Sequence, residues 1–248
     1  VYQAWPWAMQ KNHAGAMLAL GALIAYVNPA WARLPARWSR VAFWTFLIAL
    51  VLTQSRQAVI GLAVGLLVYI VRQRGARHVL LVVAIVVPGV ILVVQSVIDQ
   101  VQSQNEFNSF YQRVDWLREV YALWKLSPIV GHGLRYWYVH PWATFQPPQA
   151  EVEVLASAGI VGLLGFLIMW GVIIGVLWRV NPAFGTLALG VALSRIVQAQ
   201  FDQFWLSSQV SLPFLVVGIC LGAQQLAHAE SSDPPSYWRE PRERRTRH

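Results

Sequence analysis

The sequence predicts an all-α polytopic membrane protein: a transmembrane helix bundle of about seven helices with one long extracytoplasmic loop containing amphipathic helices. Three observations carry that expectation. Hydrophobic residues fill 56% of the 248 positions against 12% charged, with a mean hydropathy of +0.46, more apolar surface than a soluble core of this size can hide. The apolar residues come in runs, at 14–27, 41–53, 58–71, 79–97, 159–178, 183–197 and 210–223. The basic residues sit between those runs, and they are distributed unevenly. If alternate loops are given to alternate sides, one side receives Arg33, Arg37, Arg40, Arg72, Arg74, Arg77, Arg179 and five arginines of the tail. The other receives Arg56 and, over a much longer stretch, Arg113, Arg118, Lys125 and Arg135. Twelve against five is the positive-inside bias, and it places the long loop outside and the C-terminus in the cytoplasm.

Taken in order, residues 1–13 are aromatic and polar, with Trp5 and Trp7 placed like an interfacial belt. The chain starts at Val1 without a signal-like segment, so it reads as N-terminally incomplete. Residues 1–97 are expected to hold the first four membrane helices, 98–158 the extracytoplasmic catalytic or binding loop, and 159–226 three further helices. The basic cytoplasmic tail, 227–248, lacks apolar periodicity and is expected to be disordered. Several runs hold only 13 to 15 residues, short of the roughly 20 that span a bilayer; flanking polar residues extend them.

The interval 99–158 is the only long polar one, and it carries six of the eleven acids. Within it, residues 107–125 have helical period, with Phe107, Phe110, Val114, Leu117, Tyr121 and Trp124 on one stripe. Arg113 lies beside that stripe, where an arginine either snorkels or pairs with an anion. Pro128 ends the helix, Gly131 and Gly133 are expected to form a flexible turn, and Pro147 and Pro148 start another helix. Glu151 and Glu153 fall in its first turns, where the dipole favours acids.

Composition excludes some functions. The net charge of +8 resides in short loops and the tail rather than on one basic face, which argues against nucleic acid. A lone cysteine, Cys220, lies in an apolar run and forms no internal disulfide. No CxxC or HExxH metal spacing occurs.

Several segments together resemble the O-antigen ligase and polysaccharide polymerase superfamily of bacterial membrane enzymes. KNHAGAMLAL is similar to its Asn-His-x-x-Gly helix start and QSRQAVIGLAVGLL to its Ser-Arg-x-x start. RVDWLREVYALWKLSPIVGHGL resembles the Arg-x-x-x-Trp helix that ends in Pro-x-x-Gly-x-Gly, and PPQAEVEVLASAGIVGLLGF the segment running into Leu-x-Glu-x-Gly-x-x-Gly. VQAQFDQFW looks like the turn before the last helix, with Asp202 in the acidic position. The resemblance implies a metal-independent glycosyltransferase of the bacterial inner membrane, needing no cofactor. Its partners would be a polyprenyl (undecaprenyl) diphosphate-linked glycan, a lipid, glycan or protein acceptor, and the lipid bilayer.

A diphosphate leaving group held without a metal needs fixed cations, and guanidinium forks suit phosphate oxygens. Arg56 and Arg113 match the family's two functional arginines. One departure stands out: Pro147-Pro148-Gln149 replaces the family's Pro-His-Asn, whose histidine is the proposed activator of the acceptor hydroxyl. Three readings follow. His140 reaches the site from the loop, Glu151 or Glu153 serves as base, or the chain no longer catalyses and instead binds or scaffolds lipid-linked glycan. Arg135 is a third cation, Tyr136, Trp137 and Tyr138 are candidates for stacking on sugar, and Gln149 and Glu153 complete the substrate-facing set. Arg195 and Asp202, seven residues apart, are expected to form a charge network fixing the last two helices. A lipid-glycan transporter is the remaining alternative, although no internal repeat or matching pair of broken helices supports it.

Overall fold

The computed structural model describes residues 10–73, 109–139, 147, 149–201 and 207–232. All regular structure among them is helical. Helix α1 (Lys11–Val27) is closed by Asn28 in the left-handed region, its N–H on the Ile24 carbonyl. A short 3-10 turn at Ala30–Ala32 leads to α2 (Ala36–Thr53), whose N-cap residue is Pro35. Gln54, again left-handed, ends α2 and allows a two-residue reversal into α3 (Arg56–Gln73). Then come α4 (Ser109–Leu126), the one-turn α5 (Tyr136–Val139), α6 (Ala150–Arg179), α7 (Pro182–Gln198) and α8 (Ser207–Ser232). Asn181 caps α7 by accepting from the Ala183 N–H, with Pro182 at the first helical position.

Among the described residues, four helices are long and apolar enough to cross a membrane: α2, α3, α6 and the Gln209–Ser231 part of α8. Their outward surfaces are apolar, for instance Trp44, Ile48 and Leu52 on α2 and Leu164, Ile168 and Val172 on α6. That is the surface a helix shows when its solvent is lipid. Helices α1 and α7, at 17 residues each, span only about 26 Å at 1.5 Å per residue. The shortfall matters least for α7, because it is the hub. Its residues Thr186 to Ala192 are buried without interruption, and it packs against α1, α3, α6 and α8.

The α3–α7 contact is the most extensive among the described helices, and small residues let the two helices approach closely. Gly61 and Gly65, four apart on α3, face Gln198 of α7 and Leu23 of α1, and Gly190 of α7 lies against the backbone of Gly65. Between apolar helices in lipid, close backbone approach of this kind supplies the packing energy that water-driven burial cannot. The Gly-x-x-x-Gly spacing was legible in the sequence but is not part of the family resemblance.

Helix α6 is the longest element among the described residues, at 30 residues. Its last twenty, after Gly159, account for about 30 Å, the hydrocarbon thickness of a bilayer. Before them Gly159 breaks the helix with φ 64° and ψ −165°, a conformation open essentially to glycine alone. The freed backbone groups are met from outside. His132 and Gly133 donate their N–H groups to Ala156 and Ser157, while Ile160 and Val161 donate theirs to Pro128 and Ile129. Residues 128–133 therefore splice into the α6 ladder at the break.

Two sequence expectations are corrected here. Gly131 and Gly133 do have positive φ, but their turn is held by those four hydrogen bonds instead of being flexible. On α4 Val120 is buried, while Leu117 and Tyr121 of the apolar stripe are exposed. Helix α8 continues through Ser232, so the first part of the expected disordered tail, 227–232, is helical. The apolar run 79–97, Trp5, Trp7 and the tail beyond 232 lie outside the described residues.

Candidate functional site

The two ends of the bundle differ. At one, the Arg72 guanidinium donates to the carbonyls of Leu177 (3.2 Å), Trp178 (3.0 Å) and Val180 (2.8 Å), and lies over the Trp178 ring. It closes the C-terminus of α6, where the dipole favours a cation. Arg33, Arg37, Arg40 and Arg179 are exposed at this same end.

The opposite end gathers the start of α1, α3, α6 and α8 and the finish of α7. Ser55 Oγ donates to Asn12 Oδ1 at 3.3 Å, and Ser55 presses on Gly15. Arg56 follows as the first residue of α3 with its side chain exposed. The N–H of Ala150, the first residue of α6, donates to the Ala199 carbonyl just past α7. One residue on, Gln200 Nε2 donates to Glu151 Oε1 at 2.7 Å. Gln198 in turn reaches Gly61, five residues into α3, or about 8 Å along the helix from Arg56. The end of α7 is thus the common neighbour of the first two turns of α3 and of Glu151.

The two carboxylates differ in setting. Glu151 is half-buried and held by Gln200, while Glu153 is 5% exposed. Gln149 is the N-cap residue of α6, half-buried, in extended conformation and without a side-chain cap bond.

Arg113 belongs to the first turns of α4. It precedes Trp116, Val120 and Trp124 by three, seven and eleven residues, the spacing of one helix face, and Val120 on that face is 4% exposed. Trp124 Nε1 donates to the Pro128 carbonyl and the His132 ring bonds the Leu123 carbonyl at 2.7 Å, tying the turn back to α4. Beyond the turn, Arg135 is exposed. Tyr136 is half-buried, its ring 5.3 Å from His132 and edge-on to Trp137 at 5.4 Å. Trp137 is half-buried too and donates from Nε1 to Ser157 Oγ at 3.1 Å, so its indole is anchored on α6 just before the kink. His140, Pro148 and Asp202 lie outside the described residues.

Sequence reasoning missed the glutamines. Gln198 and Gln209 are buried at this end and border, with Arg195 and Met17, a narrow cleft between α1, α7 and α8. Gln198 Nε2 donates to Ser194 Oγ, and neither amide atom of Gln209 meets a hydrogen-bond partner among the described residues. The signal was present: amides inside apolar helices of a membrane protein are costly and mark interior polar surface.

The chain matches none of the curated proteins with which it was compared. A family model described as O-Antigen ligase does match, over residues 41–167. That segment begins in α2 and includes Arg56, the whole polar interval and the kink of α6. The match takes in half the chain, and with the helical membrane architecture it makes this multi-pass protein a member of the O-antigen ligase family, with a role in glycan transfer.

Proposed function

We propose that the chain transfers a glycan from a polyprenyl diphosphate carrier to an acceptor hydroxyl at the outer face of the bacterial inner membrane. In this reading the acceptor oxygen bonds the anomeric carbon, the bond from that carbon to the diphosphate oxygen breaks, and the diphosphate departs with the electron pair. Arg56 and Arg113 receive its charge, without calling on a metal ion. The observation that carries the reading is the gathering of α3 and α6 starts around the end of α7. This puts an exposed guanidinium and a half-buried carboxylate on the same end of the bundle.

Helix position supports the role given to Arg56. At the first residue of α3 its cation adds to the positive end of the helix dipole, and the first amides of any helix lack partners within it. Such a place favours an anion. Glu151 takes the acceptor proton in preference to Glu153, whose burial keeps it from an incoming hydroxyl. A carboxylate base suffices where charge stabilisation of the leaving group carries most of the barrier. Arg135, Tyr136, Trp137 and Gln149 contact the glycan, and His140 remains the alternative base.

The test is reconstitution of the complete protein with undecaprenyl-diphosphate oligosaccharide and a set of acceptors. Arg56→Ala and Arg113→Ala should each lower the transfer rate by about 100-fold or more; Glu151→Gln should lose rate with little change in KM for the carrier lipid. If Glu151→Gln is silent and His140→Ala is not, the base is His140. Pro148 in place of the family's histidine favours a second reading, a non-catalytic protein that binds lipid-linked glycan. Carrier binding without transfer to any acceptor would select it.

A further inference from the structure

The splice between residues 128–133 and the kink of α6 has a consequence for the transfer reaction. We infer that Gly131 and Gly159 are positioning residues: they lock α4, which carries Arg113, to α6, which carries Glu151. The inference rests on the transfer reading above and adds to it the part that fixes donor-side and acceptor-side groups relative to each other.

The lock is built from backbone. In an unbroken helix the carbonyls of Ala156 and Ser157 would accept from Ile160 and Val161. Here those acceptors serve His132 and Gly133, and those donors serve Pro128 and Ile129. Two bonds within the helix are replaced by four to the turn, with no polar group of the break left over at these positions. The register is therefore fixed. A slip of one residue along α6 would leave a donor or an acceptor unmet in an apolar setting, which is costly.

Side-chain size closes the lock further. A Cβ on Gly159 would land on the backbone of Ile129 and Val130, and one on Gly131 would land on the backbone from Ser157 to Gly159. Both glycines also have positive φ. Neither collision can be relieved by a side-chain rotation, because the obstructing atoms are main chain. The two strands of backbone approach this closely only because both positions lack side chains.

The turn is itself rigid toward α4. Ser127 Oγ donates to the Gly131 carbonyl, Gly131 N–H to the Ser127 carbonyl, and the His132 ring bonds Leu123. On the other side, Trp137 Nε1 reaches Ser157. Motion of α6 before its kink is thus passed to α4 through main-chain bonds instead of through exposed side chains. Misplacement of a catalytic group by about 1 Å can cost 100-fold in rate, so a joint of this stiffness is what a two-sided site requires.

Three variants of the full chain test this: Gly131→Ala, Gly159→Ala, and as control Gly165→Ala, whose Cβ meets open space on the same helix. Spin labels at exposed Glu119 on α4 and Leu164 on α6 report the inter-helix distance in reconstituted protein. The distribution should be narrow in the parent and in Gly165→Ala, and broad in the other two. Transfer should fall by about 100-fold in kcat with a smaller change in KM. In an Arg113→Ala background Gly159→Ala should cost much less than it does alone, because both act through one group. A folded Gly159→Ala protein with parental kcat would overturn the inference, as would losses that multiply fully with Arg113→Ala. If both glycine variants fail to fold, Ser127→Ala, which removes one bond of the turn, must broaden the distance and lower kcat, and parental values for both would overturn it. A parent that transfers nothing while its narrow distance broadens in Gly131→Ala would reject the transfer reading and leave the lock. Distances unchanged in every variant would reject the lock whatever the activity.

Discussion

Arg56 stands where a cation is least favoured by its own helix, at the positive end of the α3 dipole with its side chain exposed. Its geometry there is what distinguishes it from a topology-setting charge, for which lysine would serve as well. A guanidinium offers two parallel N–H groups to phosphate oxygens, and an ammonium does not. Arg56→Lys should therefore lose about tenfold or more in transfer rate although charge is kept, while a role in topology alone would leave the rate at the parental value. Glu151 makes a complementary case. Gln200 Nε2 holds one of its oxygens at 2.7 Å, leaving the other for an acceptor hydroxyl. Gln200→Leu would free the carboxylate to rotate, and kcat should fall by a few-fold to tenfold, about 1 kcal/mol for a hydrogen bond of this kind. Equal kcat in parent and variant would show that orientation of Glu151 is immaterial.

At the scale of elements, helix α4 was legible because its apolar spacing and Pro128 bound it from both sides, and it runs Ser109–Leu126. Which of its residues face protein was not legible. Along the stripe Leu117 and Tyr121 are exposed while Val114 and Trp124 are half-buried, because a surface helix beside a membrane can turn apolar residues either to protein or to lipid, and spacing alone cannot choose. The kink of α6 was half legible. Gly159 opened an apolar run in the sequence, but the exchange of hydrogen bonds with residues 128–133 joins segments some thirty positions apart, and local pattern carries no trace of it. Long-range main-chain caps are invisible for the same reason. Arg72 looked like one more basic loop residue, yet it closes three carbonyls of α6. Arg72→Ala should lower stability by about 2–3 kcal/mol, the range for hydrogen bonds to a charged group that leave acceptors unmet. The measurement is the thermal midpoint of the purified protein in detergent. Transfer per folded molecule should stay parental, because this end of the bundle is remote from Arg56. Equal midpoints would mean that water satisfies the carbonyls equally well.

For the whole molecule, the decisive property is that its two ends carry different chemistry. Helices α1 and α3 run in parallel, since Ser55 meets Asn12 and Gly65 meets Leu23. Arg33, Arg37 and Arg40 therefore share an end with Arg72 and Arg179, and Arg56 shares the other with Glu151. The same partition follows from charge counting along the sequence, which suggests that one physical cause, retention of cationic loops in the cytoplasm, set the orientation. On that orientation the end with Arg56 faces outward, the side on which the proposed transfer would take place. Exposed positions at the two ends make this measurable in intact cells. Leu134→Cys, at a residue 72% exposed beyond the α4 turn, should react with a membrane-impermeant maleimide added outside. Arg37→Cys should react only after permeabilisation. Cys220 is fully buried and contributes no competing site. The reverse pattern would turn Arg56 and Glu151 toward the cytoplasm, and transfer at the outer face would then be excluded for this chain whatever its family.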